Sequence, residues 1–209
     1  MRLLLPLLLV SCASTTSNAP KGGPRGLHAN EHLEVAGQHD EAARSAKQWP
    51  DAYGDRAAYV MPWTRSWDTI AEQERLAAIH RSRAAELEAE YEEACGDRPL
   101  AQVSVSPLHR HGIGGWNTTS GVILYLSPVA GAPDQLMADM RCHRAWMMLA
   151  PANMENCPLD VPNIQVDAHG DGEVITVSIT VRDPDLVEEL HRRAAHELER
   201  SEAAKNHHE

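Results

Sequence analysis

Two segments of the chain share one pattern, in which alternating apolar residues are followed by Pro-Asp and then by a helical apolar stripe. They are SGVILYLSPVAGAPDQLMADM, residues 120–140, and GEVITVSITVRDPDLVEEL, residues 172–190. Alternation is typical of a strand with one buried face, and proline is favoured in the first turn of a helix. The runs QVSVS, before a glycine-rich turn, and NIQVDAH supply two more strands. We therefore expect an α+β fold, ββαββα over residues 98–201, with four antiparallel strands and both helices on one face.

The preceding region, residues 28–97, is predicted to be a helical arm. A long helix begins at the capping box formed by Thr69 and Glu72, and it ends before Gly96. Its acidic second half indicates a solvated face, and His80 on its apolar side is expected to be packed.

Histidines also recur in the first part of this arm. His28, His32 and His39 fall on one helical face, at spacings that suit either metal ligands or a solvated helix. Periodicity alone does not define a site, so we assign none there.

An aromatic segment, residues 48–67, joins the two predicted helices. Amphipathic rings suit a partner-docking surface, although the same rings could pack over the helices in a chain that has no Phe. We interpret the segment as the best candidate contact surface, formed by Trp49, Tyr53, Tyr59, Trp63 and Trp67.

The first twelve residues, MRLLLPLLLVSC, have one basic residue and an apolar run too short to span a bilayer, which indicates an export signal over residues 1–11. Their end, Leu9-Val10-Ser11-Cys12, resembles the lipobox of bacterial lipoproteins. The resemblance implies cleavage before Cys12 and acylation of that cysteine, with an ordinary secretory signal as the alternative. Ala13 stands where an inner-membrane retention signal has Asp, which favours the outer membrane. Residues 12–27 are polar and glycine-rich, as in a flexible tether.

The charge of the chain excludes one class of partner. Loss of Arg2 with the signal leaves 18 basic against 30 acidic residues, a formal charge of −12. A polyanionic nucleic acid would be repelled rather than attracted. The predicted partners are the membrane, through the lipid anchor, and another envelope protein.

Export places Cys95, Cys142 and Cys157 in a compartment where disulfides persist, and an odd number indicates one pair and one free thiol. About two helical turns and a short return loop separate Cys142 from Cys157, so we predict that these two pair. Cys95 would then be free, or else the rival partner.

The stretch MRCHRAWMMLAPANMENCP, residues 140–158, is rich in the side chains that soft metals prefer. A metal site here would use Cys95, His109, Cys142, His143 and Cys157. At 100° per residue, however, Leu136, Met140, His143 and Met147 form one stripe, and Cys142 diverges from it. We therefore predict that His143 and the methionines are core residues, with one hydrogen bond to the imidazole.

A second histidine pair, His109 and His111 in SPLHRHG, would point to one side of an extended segment, as metal-binding pairs do. The nearby Gly112 favours a turn with solvated histidines instead. The sequence contains no G-x-S-x-G, H-E-x-x-H, phosphate-binding glycine loop or C-x-x-C motif. We therefore predict no catalytic residues, no enzyme activity and no cofactor.

The elements ACGD, VSPLH, RCHRAW and MENCPL, which cover most of residues 94–160, also resemble a group of uncharacterised bacterial envelope proteins. This resemblance implies no activity and supports only the boundaries of the domain, with residues 202–209 as a disordered tail. The predicted function is that of a non-enzymatic cell-envelope lipoprotein, a structural or interaction module. The alternative is a periplasmic lipoprotein that binds copper or zinc.

Overall fold

Four antiparallel strands form one sheet in the order β1-β2-β4-β3. The structure is a computed structural model that describes residues 22–53, 67–149 and 156–206, with side chains for 22–48, 70–149 and 156–201. The strands are β1 Gly112–Thr118, β2 Gly121–Leu126, β3 Ile164–Gly170 and β4 Ile175–Val181. Two helices, α5 Pro133–Trp146 and α6 Val187–Asn206, pack on one face of this sheet. The predicted α+β class and the ββαββα order are therefore confirmed.

Alternation in β4 explains why one sheet face is buried. Ile175, Val177 and Ile179 point into the core, whereas Thr176 and Ser178 between them point away. Burial of each such side chain contributes about 1.5–3 kcal/mol relative to its exposure. The apolar residues of β2 pair in register with those of β4, so these two central strands contribute the sheet side of the core.

The first predicted strand is wrong. QVSVS lies in and after the short helix α3, Leu100–Val103, and the chain then turns into α4, Pro107–His111. Prolines at the start of both helices favour helical turns over an extended run. The first strand is instead β1, in the glycine-rich stretch that was expected to be a turn. At the edge of a sheet, a strand rich in glycine can approach its neighbour closely because glycine has no Cβ. A Cβ on Gly115 would lie 2.5 Å from the Ile123 carbonyl oxygen.

The helical arm is an antiparallel hairpin of α1, Ala29–Tyr53, and α2, Trp67–Cys95. Buried alanines recur every seven residues along the facing surfaces, which lets the two backbones approach closely; they are Ala29, Ala36 and Ala43 in α1, and Ala77 and Ala84 in α2. The prediction of a long helix holds, although α2 begins two residues before Thr69, and Glu72 pairs with Arg75.

The hairpin is joined to the sheet domain by a disulfide between Cys95, at the end of α2, and Cys142 in α5. The predicted Cys142–Cys157 disulfide is therefore wrong, and Cys157 is the free, buried thiol. The prediction failed because Cys142 points toward α2, on the side of α5 away from the sheet. Backbone bonds reinforce the junction, since the Ala29 amide donates to the Met148 carbonyl at 2.8 Å.

Two predicted boundaries need correction. Residues 22–27 are not a free tether, because the Arg25 guanidinium donates to Asp160 Oδ1 and to the Arg144 carbonyl, each at 2.9 Å. Composition alone gave no sign of this buried carboxylate partner. The expected disordered tail is also wrong for residues 202–206, since α6 continues to Asn206. Residues 1–21, which hold the predicted signal and most of the tether, and residues 207–209 lie outside the described part of the chain.

Among the helices that the structure describes, none has the length and apolarity needed to cross a membrane.

Candidate functional site

Helix α5 has two buried sides that serve different purposes. Toward the sheet it presents the predicted core stripe, with Leu136, Met140, His143 and Met147 all buried. Toward α2 it presents Cys142, which is bonded to Cys95. The prediction that imidazole and thiol diverge around this helix is confirmed, and His143 is only 1% exposed.

His143 contacts the free thiol of Cys157 from within the core. Its Nδ1 lies 2.7 Å from the Val103 carbonyl oxygen, and because a carbonyl can only accept, Nδ1 carries the proton. Nε2 is therefore an acceptor, and it faces the Cys157 Sγ at 3.7 Å. The single predicted hydrogen bond to this imidazole is present, and a weak thiol contact accompanies it.

Burial determines the charge state of this pair. Desolvation lowers the pKa of His143, against the opposing effect of its hydrogen bond to Val103. Desolvation, with a smaller contribution from Glu197, raises the pKa of the Cys157 thiol to about 12. At neutral pH the pair is a thiol beside a neutral imidazole, not the thiolate–imidazolium pair of a reactive cysteine.

A cavity of about 240 Å³ lies next to Cys157, between the α3–α4 segment and α6. We call it the Glu197 cavity. The residues that line it include Ser106, His109, Cys157 and Glu197, together with Asn156 and Arg200. Ser106 and Glu197 are 7% and 5% exposed, so a hydroxyl and a carboxylate lie almost fully buried on the cavity wall.

The Glu197 cavity gathers polar atoms that lack hydrogen-bond partners. In the described part of the chain, four buried side-chain nitrogen or oxygen atoms have no hydrogen-bond partner of good geometry. Three of them, Ser106 Oγ, His109 Nδ1 and Glu197 Oε1, belong to residues that line this one cavity. Buried polar groups are normally paired, so this concentration indicates a place where a ligand or solvent is bound.

The buried Arg193 does not neutralise Glu197. Its guanidinium donates to Glu189 Oε1 at 2.6 Å and to the Cys157 carbonyl at 3.2 Å, and it lies 3.5 Å from Asp160 Oδ2. Hydrogen bonds from Arg192 first, and from Arg193 as well, lower the pKa of Glu189 to about 2. Arg193 is thus committed to other acceptors, and none of the ion pairs in the described part of the chain includes Glu197.

The structure does not bring the five residues named for a metal site together at one point. Cys95 and Cys142 are joined as a disulfide, so neither sulfur is a free thiolate ligand. His143 and Cys157 do meet, and His109 reaches the Glu197 cavity beside Cys157. Within the described ranges, no three His, Cys, Asp or Glu side chains converge as a metal would require.

His109 and His111 lie on α4 rather than on an extended segment. Two residues apart on a helix, they point to different sides, so the proposed H-x-H pair is not formed. His111 is half-buried, and desolvation lowers its pKa. The expectation of two solvated histidines is also wrong, because His109 Nδ1 is buried.

The histidine face of α1 packs against α2. His32 Nδ1 lies 2.8 Å from His80 Nδ1, and His39 Nδ1 lies 2.7 Å from Gln73 Oε1. The His80 ring also stacks on that of His39, with centroids 5.7 Å apart. The seven-residue spacings from His32 to His39 and from Gln73 to His80 were the sequence signal for these contacts.

The predicted aromatic contact surface and the predicted lipidation site cannot be placed. The backbones of Trp49 and Tyr53 lie in α1, and that of Trp67 begins α2. The side chains of all three residues lie outside the described part of the chain. Tyr59, Trp63 and Cys12 fall outside them altogether.

Buried donors and acceptors around Cys157 thus form the best-defined candidate site in this chain. Comparison of the chain with known proteins finds no matching protein-family model, no matching curated protein and no matching solved structure.

Proposed function

We propose that this chain is a lipid-anchored, non-enzymatic protein of the bacterial cell envelope, held in the outer membrane through Cys12 and acting as an interaction module. The observation that supports this most is the Cys95–Cys142 disulfide. Disulfides persist in oxidising compartments such as the periplasm and are rare in the cytosol. Export is also what the apolar run and the lipobox resemblance at residues 1–12 imply.

The state of Cys157 supports a non-enzymatic role. A cysteine nucleophile needs a thiolate, usually stabilised by an imidazolium or a helix N-terminus. Here the thiol has a pKa raised to about 12, and the partner imidazole is kept neutral by burial and by its bond to Val103. Such a pair favours a structural role in the core over hydrolysis.

The shape of the hairpin supports an interaction role. Helix α2 spans 29 residues, about 43 Å at 1.5 Å per residue, and the disulfide fixes its C-terminal end to the sheet domain. In an antiparallel hairpin, α1 ends and α2 begins at the opposite end. The two helices end and begin at Tyr53 and Trp67, at the end of the hairpin remote from the domain, so part of the predicted aromatic loop is helical. In the sequence, the five aromatic residues predicted to form the contact surface lie at and between these two ends.

The anchor is tested by cell fractionation of the full chain and of Cys12→Ala. We expect the unmodified chain to sediment with outer membranes and the variant to become soluble in the periplasm. A Cys12→Ala variant that stays with the membranes as completely as the unmodified chain would contradict lipid anchoring.

The interaction role is tested by photo-crosslinking in cells. We place a photoreactive residue at Tyr59 and, as the matched control, at the exposed His169 of β3. We expect a discrete crosslinked product from position 59 and none from position 169. The same outcome at both positions would contradict a partner at the hairpin end.

The alternative, a lipoprotein that binds copper or zinc, now depends on one close pair. His143 Nε2 and Cys157 Sγ are 3.7 Å apart, a separation at which one tetrahedral ion could bind both. The test is elemental analysis of protein purified with its disulfide intact. Stoichiometric copper or zinc that disappears in His143→Gln would replace the first proposal, and a metal-free protein would remove the alternative.

A further inference from the structure

We infer that the Glu197 cavity is a binding site for a small primary-ammonium compound, whose charged nitrogen is held by Glu197, His109 and Ser106. This inference stands independently of the lipid anchor and of any partner at the hairpin end. It rests on the identity and burial of three polar atoms in residues that line one cavity, two of which, His109 Nδ1 and Glu197 Oε1, have no hydrogen-bond partner in the described part of the chain.

The three atoms match the donors of an ammonium group. A carboxylate oxygen and a hydroxyl oxygen both accept hydrogen bonds, and so does an imidazole Nδ1 when the ring carries its proton on Nε2. A primary ammonium has three N–H donors and no acceptor. The cavity thus offers three acceptors to a group that has three donors. His109 Nδ1 and Glu197 Oε1 have no other partner among the described residues, and Ser106 Oγ, whose hydroxyl donates to the Cys157 thiol, keeps lone pairs available to accept.

The charge of the cavity favours a cation. Glu197 is 95% buried and forms no ion pair in the described part of the chain, and a buried polar group is costly unless it is hydrogen-bonded. Arg193 binds Glu189, Asp160 and the Cys157 carbonyl instead. Arg200 also lines the cavity, but it is exposed and no described ion pair joins it to Glu197, so it suits a polar or anionic far end of the ligand.

The size of the cavity limits the ligand. About 240 Å³ is below the usual range of about 300–1,000 Å³ for pockets that hold drug-sized molecules, and it suits a molecule of a few heavy atoms. A transition metal fits the cavity less well than an ammonium group. No three metal-ligating side chains converge there within the described residues, and the Cys157 thiol is protonated at neutral pH.

The test is a titration of the exported protein, disulfide intact, with three probes of equal length and different charge. Binding of propylammonium, 1-propanol and propionate is followed by the backbone amide NMR signals of residues 104–106, 108–109 and 197–201. We expect saturable shifts in the millimolar range with propylammonium only. A wild-type protein that shows no saturable response to propylammonium, or an equal response to propanol, overturns the inference.

Two variants separate specific binding from general charge attraction. Glu197→Gln keeps the shape of the side chain and removes its charge, and Glu199→Gln makes the same charge change at an exposed position of the same helix. We expect Glu197→Gln to weaken propylammonium binding about tenfold or more, as the loss of a hydrogen bond to a charged group predicts, and Glu199→Gln to leave it unchanged. Equal weakening by both variants overturns the inference.

Stability measurements show whether a loss of binding results from unfolding of the variant rather than from the change in the side chain. Because Glu197 is a buried carboxylate without a partner, we expect the melting temperature of ligand-free Glu197→Gln to be no lower than that of the wild type. If Glu197→Gln unfolds, His109→Ala is the second variant, and it must also weaken binding while Glu199→Gln does not. Tight zinc binding that is lost in either variant would assign the cavity to a metal and overturn the inference.

Discussion

At the scale of single residues, one hydrogen bond determines the chemistry of the core thiol. The Val103 carbonyl requires a proton on His143 Nδ1, which leaves Nε2 as the acceptor that faces Cys157. The core position of His143 was predicted from helical periodicity, since one angle per residue is enough to assign a side chain to a face. Its approach to Cys157 could not be predicted, because that contact depends on how residues 156–160 return to the helix.

Replacement of His143 by Gln should lower the free energy of unfolding by about 1–3 kcal/mol, because a buried donor or acceptor loses its partner. Urea denaturation measures the change, and elemental analysis of the same samples should show no difference in metal content. His169→Gln, at an exposed position of β3, is the control and should be neutral. An unchanged unfolding free energy together with loss of a bound copper or zinc ion would show that His143 is a ligand.

Thiol chemistry should distinguish Cys157 from the other cysteines. In the Cys12→Ala variant, we expect no reaction with iodoacetamide at pH 8 while the protein is folded, because Cys157 is 4% exposed and its thiol pKa is about 12. Denaturation without reductant should expose one reactive thiol per chain. Peptide mapping that finds the label on Cys95 or Cys142 would contradict the observed pairing.

At the scale of elements, sequence periodicity predicted those parts whose burial follows a regular repeat. Strands β2, β3 and β4 and helices α5 and α6 were found because their apolar residues recur at intervals of two or of three to four. Strand β1 was missed because its glycines carry no such signal and are required by close approach to β2. The Glu197 cavity was missed for a related reason, since Glu197 is one of many acidic residues in α6 and only packing shows that it is buried.

The hairpin interface should respond to pH through His32 and His80. Desolvation first, and then the neighbouring charges, lower the pKa of both groups below 6.5; for His32 these include His80 and Arg83, opposed by Glu31 and Glu86, and for His80 the charge of His39. A folded-state pKa below the unfolded value means that the unfolded chain takes up protons first as pH falls. This contribution to stability is complete above about pH 6.5 and is lost as the pH falls toward the folded pKa values.

We therefore expect the melting temperature to fall between about pH 7.5 and 5, and to fall less in His80→Gln, which keeps hydrogen-bonding capacity without the charge. Thermal melts at several pH values measure both slopes. The comparison of slopes is needed because His111 and His143, whose pKa values are also lowered, remain in both proteins. Parallel slopes for the two proteins would rule out the His32–His80 pair as a pH-sensitive contact.

At the scale of the whole molecule, a small junction joins the hairpin to the sheet domain. That junction combines the disulfide, the backbone bond from Ala29 to Met148, and a minor apolar cluster around Leu87. The odd number of cysteines predicted one disulfide, but the partner predicted for Cys142 was wrong. The partner is decided by the direction in which the Cys142 side chain points from α5.

Loss of the disulfide in Cys95→Ala/Cys142→Ala should destabilise the protein by up to about 4 kcal/mol, the chain-entropy value for a bridge between residues 47 apart. Denaturant unfolding of the variant and of the wild type without reductant provides the comparison. Cys157→Ala, which removes a buried thiol but no crosslink, is the matched control and should cost less. A double variant as stable as the wild type would show that packing alone holds the junction.

The Cys95–Cys142 disulfide closes a covalent loop, and this loop determines how far the chain extends under mechanical force. Strands β1 and β2 and most of α5 lie between Cys95 and Cys142, so a force applied to the two ends passes across the sulfur–sulfur bond and never extends them. Under tension the oxidised chain should stretch to a contour length about 160 Å shorter than the reduced chain, at 3.3–3.6 Å for each of the 47 residues bypassed. Half of the sheet is thereby protected from mechanical extension for as long as the disulfide stays intact.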